Sequence, residues 1–234
     1  MKFIKYQFMF LMIIHGYLFS LGGISIGGGL FALEANINDE QELFSLNATN
    51  HDDLSSVSGM FLIYFDALPK DLSVELSFEY GMQPLQSNID YDGIPLISED
   101  LIATKASTYY TINKELLGFS VPFLAKAGLY LGGGYNTHSS ISPSIDLLKT
   151  LFDQENLEEL FDNLDNSENI YENFNDIDWG NYTESTTGWH IQASLRAELL
   201  MMHMLLNAKY TFAQLPISDA IGFPSINLML GIGL

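Results

Sequence analysis

Leu72-Ser73-Val74-Glu75-Leu76-Ser77-Phe78-Glu79-Tyr80 alternates apolar and polar side chains without a break. In an extended chain successive side chains point to opposite faces, so this stretch is a strand with one apolar and one polar face. Residues 189–199 repeat the pattern. Trp189, Ile191, Ala193, Leu195, Ala197 and Leu199 alternate with His190, Gln192, Ser194, Arg196 and Glu198. Both runs are long enough to cross a hydrocarbon layer as tilted strands, which takes about 9–11 residues.

Working outward, six further strands follow. Phe31, Leu33, Ala35 and Ile37 form one face near 24–37, and Val57, Phe61, Ile63 and Phe65 one near 57–66. Thr104, Ala106, Thr108, Tyr110 and Ile112 alternate with Lys105, Ser107, Tyr109, Thr111 and Asn113. Ala125, Ala127, Leu129, Leu131 and Tyr135 alternate with Lys126, Gly128, Tyr130, Gly132, Gly134 and Asn136. Leu206, Ala208, Tyr210 and Phe212 alternate with Asn207, Lys209, Thr211 and Ala213, and Ile226, Leu228, Leu230, Ile232 and Leu234 close the chain. The expected count is eight, an even number able to close into an antiparallel barrel. The connections at 67–71, around Gly118 and Pro122, and within 200–205 are the shorter set. The other set runs over 38–56, 82–102 and 138–187, with a short member at 215–224.

Composition narrows the classes. The formal charge is −20, yet 47% of residues are hydrophobic and 13% aromatic, so the chain is not a disordered acidic tail. Such a charge opposes nucleic acid. The absence of cysteine removes disulfides, thiolate metal sites and thiol nucleophiles. Lys2 and Lys5 precede an apolar stretch from Phe8 to Leu21, which reads as a secretory signal over 1–22 with cleavage near Ser20 or Gly22. The competing reading is a membrane anchor. Cleavage leaves a 23–234 domain with seven basic residues against 29 acidic ones, a formal charge of −22.

Charge sorts with the strand map. The three long connections hold 21 of the 29 acids and one basic residue, Lys149. Lys105, Lys126, Arg196 and Lys209 instead share the polar strand face with Glu75, Glu79 and Glu198. Both signs on one face predict an interior salt-bridge network, since an eight-stranded barrel is just wide enough for side chains to fill. Tyr80, Tyr110, Tyr135, Trp189 and Tyr210 at strand ends are expected interfacial aromatics.

Together the amino-terminal segment, the alternating strands, the connection lengths and the strand running to the last residue resemble the small outer-membrane β-barrel proteins of Gram-negative bacteria, the OmpA-transmembrane and OmpX-like group. The resemblance covers about 24–234. It implies an all-β, eight-stranded up-and-down transmembrane barrel, secreted by the Sec route to the outer membrane. It departs at the carboxyl end, where Gly231-Ile232-Gly233-Leu234 lacks the usual terminal aromatic residue.

The expected role is structural or surface-interacting, by a monomer among outer-membrane lipid. A surface partner would meet the 138–187 insertion, and no cofactor is expected. Residues 142–165 look helical within it: Ser142 and Pro143 suit the start, and Leu147, Leu148, Leu151 and Phe152 recur at helical spacing. The expected packing is an apolar stripe folded onto the barrel rim. The alternatives are a passive small-solute pore, a lipid-modifying enzyme and a secreted acidic β-sandwich binding calcium. Asp176 and Asp178 with Gly180 are weak calcium candidates, because the glycine falls one place early and no glutamate stands at the twelfth position. His138-Ser139-Ser140 is similar to the active-site pattern of lipid A deacylases, but Ile141 stands where an Asn is expected. His190, Ser194 and Glu198 share a strand face, but successive pairs lie about 13 Å apart and form no triad. Gly27–Gly29 and Gly132–Gly134 lack nucleotide-loop spacing and are expected to make room inside a barrel.

Overall fold

The computed structural model describes residues 22–41, 44–53, 55–68, 71–121, 124–151 and 177–233. The expected signal segment lies outside them, except for Gly22. Ten strands form one sheet: β1 (Gly22–Phe31), β2 (Asn36–Gln41), β3 (Phe44–Asn50), β4 (Ser56–Leu68), β5 (Leu72–Tyr91), β6 (Ile94–Val121), β7 (Ala125–Ile141), β8 (Thr183–Leu199), β9 (Met202–Phe212) and β10 (Phe223–Gly233). Eight of them pair antiparallel in a closed ring, β1-β10-β9-β8-β7-β6-β5-β4 and back to β1. The sandwich alternative fails here, because closure leaves one inner and one outer face.

The outer face is the apolar one. Ile26, Phe61, Phe78, Ile112, Leu131, Ile191, Leu195, Leu228 and Leu230 are all exposed, while Ser77, Thr111, Gln192, Ser194 and Asn227 are buried inside. A soluble protein rarely exposes an apolar patch beyond a few hundred Å². A continuous apolar surface around a ring with no open edge is what a hydrocarbon layer requires. No described helix is long and apolar enough to cross a membrane.

Four expectations on connections are corrected. The strand expected at 24–37 ends at Phe31, and Phe31, Leu33 and Ala35 turn inward as buried core. The 38–56 connection contains the β2–β3 hairpin. The 82–102 connection is mostly strand: β5 and β6 run past the ring and meet at Asp92-Gly93, both with positive φ. Asp-Gly is the residue pair that suits such a two-residue hairpin turn. The connection expected around Gly118 and Pro122 also shortens, because β6 continues to Val121 and β7 starts at Ala125.

Beyond the ring, β3 replaces β4 as the partner of β5, with Leu46 opposite Ile89 and Asn50 opposite Leu85. The result is a four-stranded extension, β2-β3-β5-β6, at the end opposite the tight turns. One of its faces meets α1 (Ile145–Leu151), where Ile145 and Leu148 pack on Leu46, Ile89, Phe44 and Leu101. This helix covers the first part of the expected 142–165 helix, and 152–165 lies outside the described residues. Its first turn is held by Ser144, whose Oγ accepts from Leu147 N at 3.2 Å, in place of the expected Ser142. Asp39 Oδ2 on β2 accepts from Ile145 N at 2.8 Å.

The Asp39 contact ties the first turn of this helix to β2. Asp39→Ala is expected to cost about 1 kcal/mol locally, as loss of a helix cap does. Limited proteolysis checks this: cleavage within 145–151 quickens, while the ring itself stays resistant.

Candidate functional site

Inside the ring the polar faces of β5, β6, β8 and β9 meet. Glu75 and Glu79 are four residues apart on β5 and both point inward. Lys105 Nζ on β6 donates to Glu79 Oε1 at 2.5 Å, and Lys209 Nζ on β9 donates to Glu79 Oε2 at 3.3 Å. The Lys209 ammonium lies 3.1 Å from the Tyr109 ring centre, and that of Lys105 lies 4.2 Å from the Phe31 ring. One carboxylate therefore serves two ammonium groups. The inward-facing position of Gly81 makes room for them: an added Cβ there would sit 2.8 Å from the Phe31 ring and 3.0 Å from the Lys105 side chain.

A second tier lies toward the tight turns. Arg196 on β8 reaches across the lumen. Its Nη1 donates to both Asp66 carboxylate oxygens at 2.8 and 2.6 Å, and its Nη2 donates to Glu75 Oε1 at 2.9 Å. Its guanidinium centre lies 3.9 Å from the Tyr64 ring and 4.8 Å from that of Tyr130. Gln192 Nε2 donates to the other Glu75 oxygen at 2.8 Å. Lys126 is looser, 3.8 Å from Asp66 and 3.6 Å from Glu115, with its side chain 31% exposed. Glu198 makes no ion pair within 4 Å among the described residues, and its carboxylate accepts from the Tyr64 hydroxyl at 3.4 Å.

Sequence reasoning missed Asp66 and Glu115. Both sit near strand ends, where alternation breaks: the register shifts between Phe65 and Leu68, and again between Glu115 and Leu117. It also missed the mouth at the opposite end. There Phe31, Leu33, Ala35, Ala48, Leu85, Ala103, Leu215, Ile217 and Phe223 form a buried apolar cluster. Its polar backbone is satisfied locally: Gln83 Nε2 and Asn50 Nδ2 donate to Leu33 O at 2.7 and 3.0 Å, and Asn36 N donates to Ile217 O at 2.9 Å.

The aromatic residues named from sequence all face outward. Tyr80, Tyr110, Tyr135 and Trp189 are about half exposed, and Tyr210 somewhat less. Tyr110 and Tyr135 have ring centres 6.4 Å apart, and Trp189 stacks on Phe212 at 3.9 Å. Phe212 was legible only as an apolar-face residue.

The enzyme candidates are not assembled. His138 Nδ1 lies 2.7 Å from Ser107 Oγ, and its Nε2 lies 2.9 Å from Asn136 Oδ1, while Ser140 Oγ has no partner among the described residues. His190 Nε2 pairs with Thr111 Oγ1 at 2.8 Å rather than with Ser194. These groups are buried in the lumen. Asp178 caps a 3-10 turn at Trp179–Tyr182, accepting from Gly180 N at 3.1 Å, and Asp176 lies outside the described residues. No group of three or more His, Asp or Glu placed to hold a metal directly occurs among the described residues.

The loop end carries the remaining surfaces. A groove of about 840 Å³ runs over the rim past Glu34, Asn50, His51, Tyr210 and Pro224. The uncovered face of the extension presents Asn38, Asn47, Asn88 and Ser98 in one cross-strand row, all exposed.

No family model matches the sequence, and no curated protein is similar enough to match it. Among solved structures, the chain is similar to Ail, the attachment invasion locus protein of Yersinia pestis. Against Ail in complex with the heparin analogue sucrose octasulfate the identity is 13% and the TM-score 0.41, over 91% of this chain and 97% of that one. Against Ail alone the identity is 12% and the TM-score 0.37, over 92% and 97%.

Proposed function

We propose that this chain is an outer-membrane β-barrel with a structural or surface-interaction role, its loop end facing outward. The observation that carries this reading is a closed ring, apolar outside, whose lumen is crossed by ion pairs and capped by an apolar cluster. The tight turns and both strand termini, Gly22 and Gly233, share the opposite end, toward the periplasm in this reading. Residues 1–22 act as a cleaved signal, and 23–234 is the mature barrel with its loop insertion within 138–187. The tyrosines and Trp189 sit at the membrane–water boundary. The β2-β3-β5-β6 extension with α1 is the platform a surface partner meets. The acid-rich connections favour a partner with cationic or uncharged groups over a polyanion.

The test has two readings. Protein folded into detergent is expected to run at different mobility in SDS unheated and heated, because a closed barrel resists SDS. In planar bilayers it is expected to give no steady ohmic conductance. Lack of a mobility shift sinks the membrane reading. A reproducible open channel replaces the structural role with solute passage.

A further inference from the structure

The tight-turn end of the lumen opens into a cavity of about 190 Å³, lined by Asp66, Asp71, Ser73, Glu115, Lys126 and Tyr130 among others. Three of these are carboxylates and one is an ammonium. Arg196, behind the cavity, is already shared between Asp66 and Glu75. Lys126 stands 3.6 Å and 3.8 Å from its carboxylates, beyond ordinary hydrogen-bond distance. Local negative charge is thus under-compensated.

Ser73 supplies an independent sign. It is 2% exposed, faces inward beside these acids, and its Oγ has no hydrogen-bond partner among the described residues. A buried hydroxyl without a partner costs about 1–3 kcal/mol, so a polar group reaching it from the cavity is favoured. The acidic and hydroxyl groups are all oxygen donors, which suit hard cations rather than transition metals. The carboxylates do not converge as a direct metal cage. A cation here must therefore keep part of its water shell, as Mg²⁺ characteristically does.

We infer that the turn-end mouth of the barrel binds one hard divalent cation of the Mg²⁺ class, held through bound water by Asp71, Glu115 and Ser73. This goes beyond the surface role, and it does not depend on which end faces outward.

Mn²⁺ is the probe, because its unpaired electrons broaden nearby amide resonances. The experiment is a titration of MnCl₂ into isotope-labelled barrel folded in detergent micelles. At substoichiometric metal, amides of 71–75 and 113–117 are expected to broaden before those of the acidic loop end. Excess MgCl₂ is expected to restore them. Asp71→Asn combined with Glu115→Gln is expected to abolish broadening at the turn end and leave any at the loop end. Asp66 stays untouched because it holds Arg196. Unheated SDS mobility verifies that the variant folds, and Ser73→Ala, expected to weaken the effect, serves if it does not. Broadening that begins at the loop end, persists in a folded double variant, is unchanged in Ser73→Ala, or resists excess MgCl₂ overturns the proposal.

Discussion

Arg196→Ala is expected to lower the stability of the folded barrel by about 3–5 kcal/mol, enough to block folding in some detergents. The magnitude follows from burial. An exposed ion pair is worth about 0–1 kcal/mol, but the Arg196 side chain is 1% exposed and those of Glu75 and Asp66 are 2% and 11% exposed. Removing the guanidinium leaves the carboxylates of Asp66 and Glu75 without their shared partner in a lumen closed off by the strands. It also removes the group that stacks on Tyr64 and Tyr130. Urea unfolding in lipid vesicles, followed through Trp179 and Trp189, measures the loss. Arg196→Met with Asp66→Asn and Glu75→Gln is expected to recover a large part of it, because the cost comes from uncompensated charge. Equal destabilisation in the single and triple variants would show that packing, not charge, sets the value.

Glu79→Gln is expected to cost a similar amount, about 3–5 kcal/mol, despite the near-identical shape of the new side chain. Glu79 is the acceptor for both Lys105 and Lys209, and the side chains of all three are at most 1% exposed. An amide keeps a single acceptor oxygen and puts an NH2 donor where the second was, and it supplies no charge to balance two ammonium groups. The same urea experiment reads the effect. Lys105→Met and Lys209→Met added to Glu79→Gln should restore stability. Stability unchanged in Glu79→Gln alone would mean that the lysines are neutral in the folded barrel.

The site was legible where alternation was strict. Glu75, Glu79, Arg196 and Lys209 each lie between outward apolar neighbours, and Lys105 lies between Thr104 and Ala106 in an alternating run, so their inward face could be read from the sequence. Asp66 and Glu115 sit where the ladder shifts register, and a one-residue slip exchanges the two faces. The Asp92-Gly93 turn was present as a signal, but the surrounding acids made 82–102 read as a loop. In fact Leu85, Ser87 and Ile89 are buried there beneath the β3 pairing and α1. Leu33 and Ala35 kept the alternation of β1 while leaving the strand, so periodicity alone could not end it at Phe31.

By itself the sequence determined the number of ring strands and, for every one but β1, which face is apolar, because a period of two projects side chains to fixed sides whatever the partner. In β1 the face expected from Phe31, Leu33 and Ala35 turns inward, and Ile26 and Leu30 face out. It also determined that the polar face carries both signs of charge. Only the tertiary structure decided which charges meet. Arg196 bonds Asp66 from a distance of 130 residues, and Lys209 is equally far along the chain from Glu79. Those pairings depend on the order of strands around the ring and on their register across the lumen, which no local pattern records. The β2-β3 hairpin and the apolar cap of the loop-end mouth were decided the same way, by segments that acquire a buried face only once the barrel has closed beneath them.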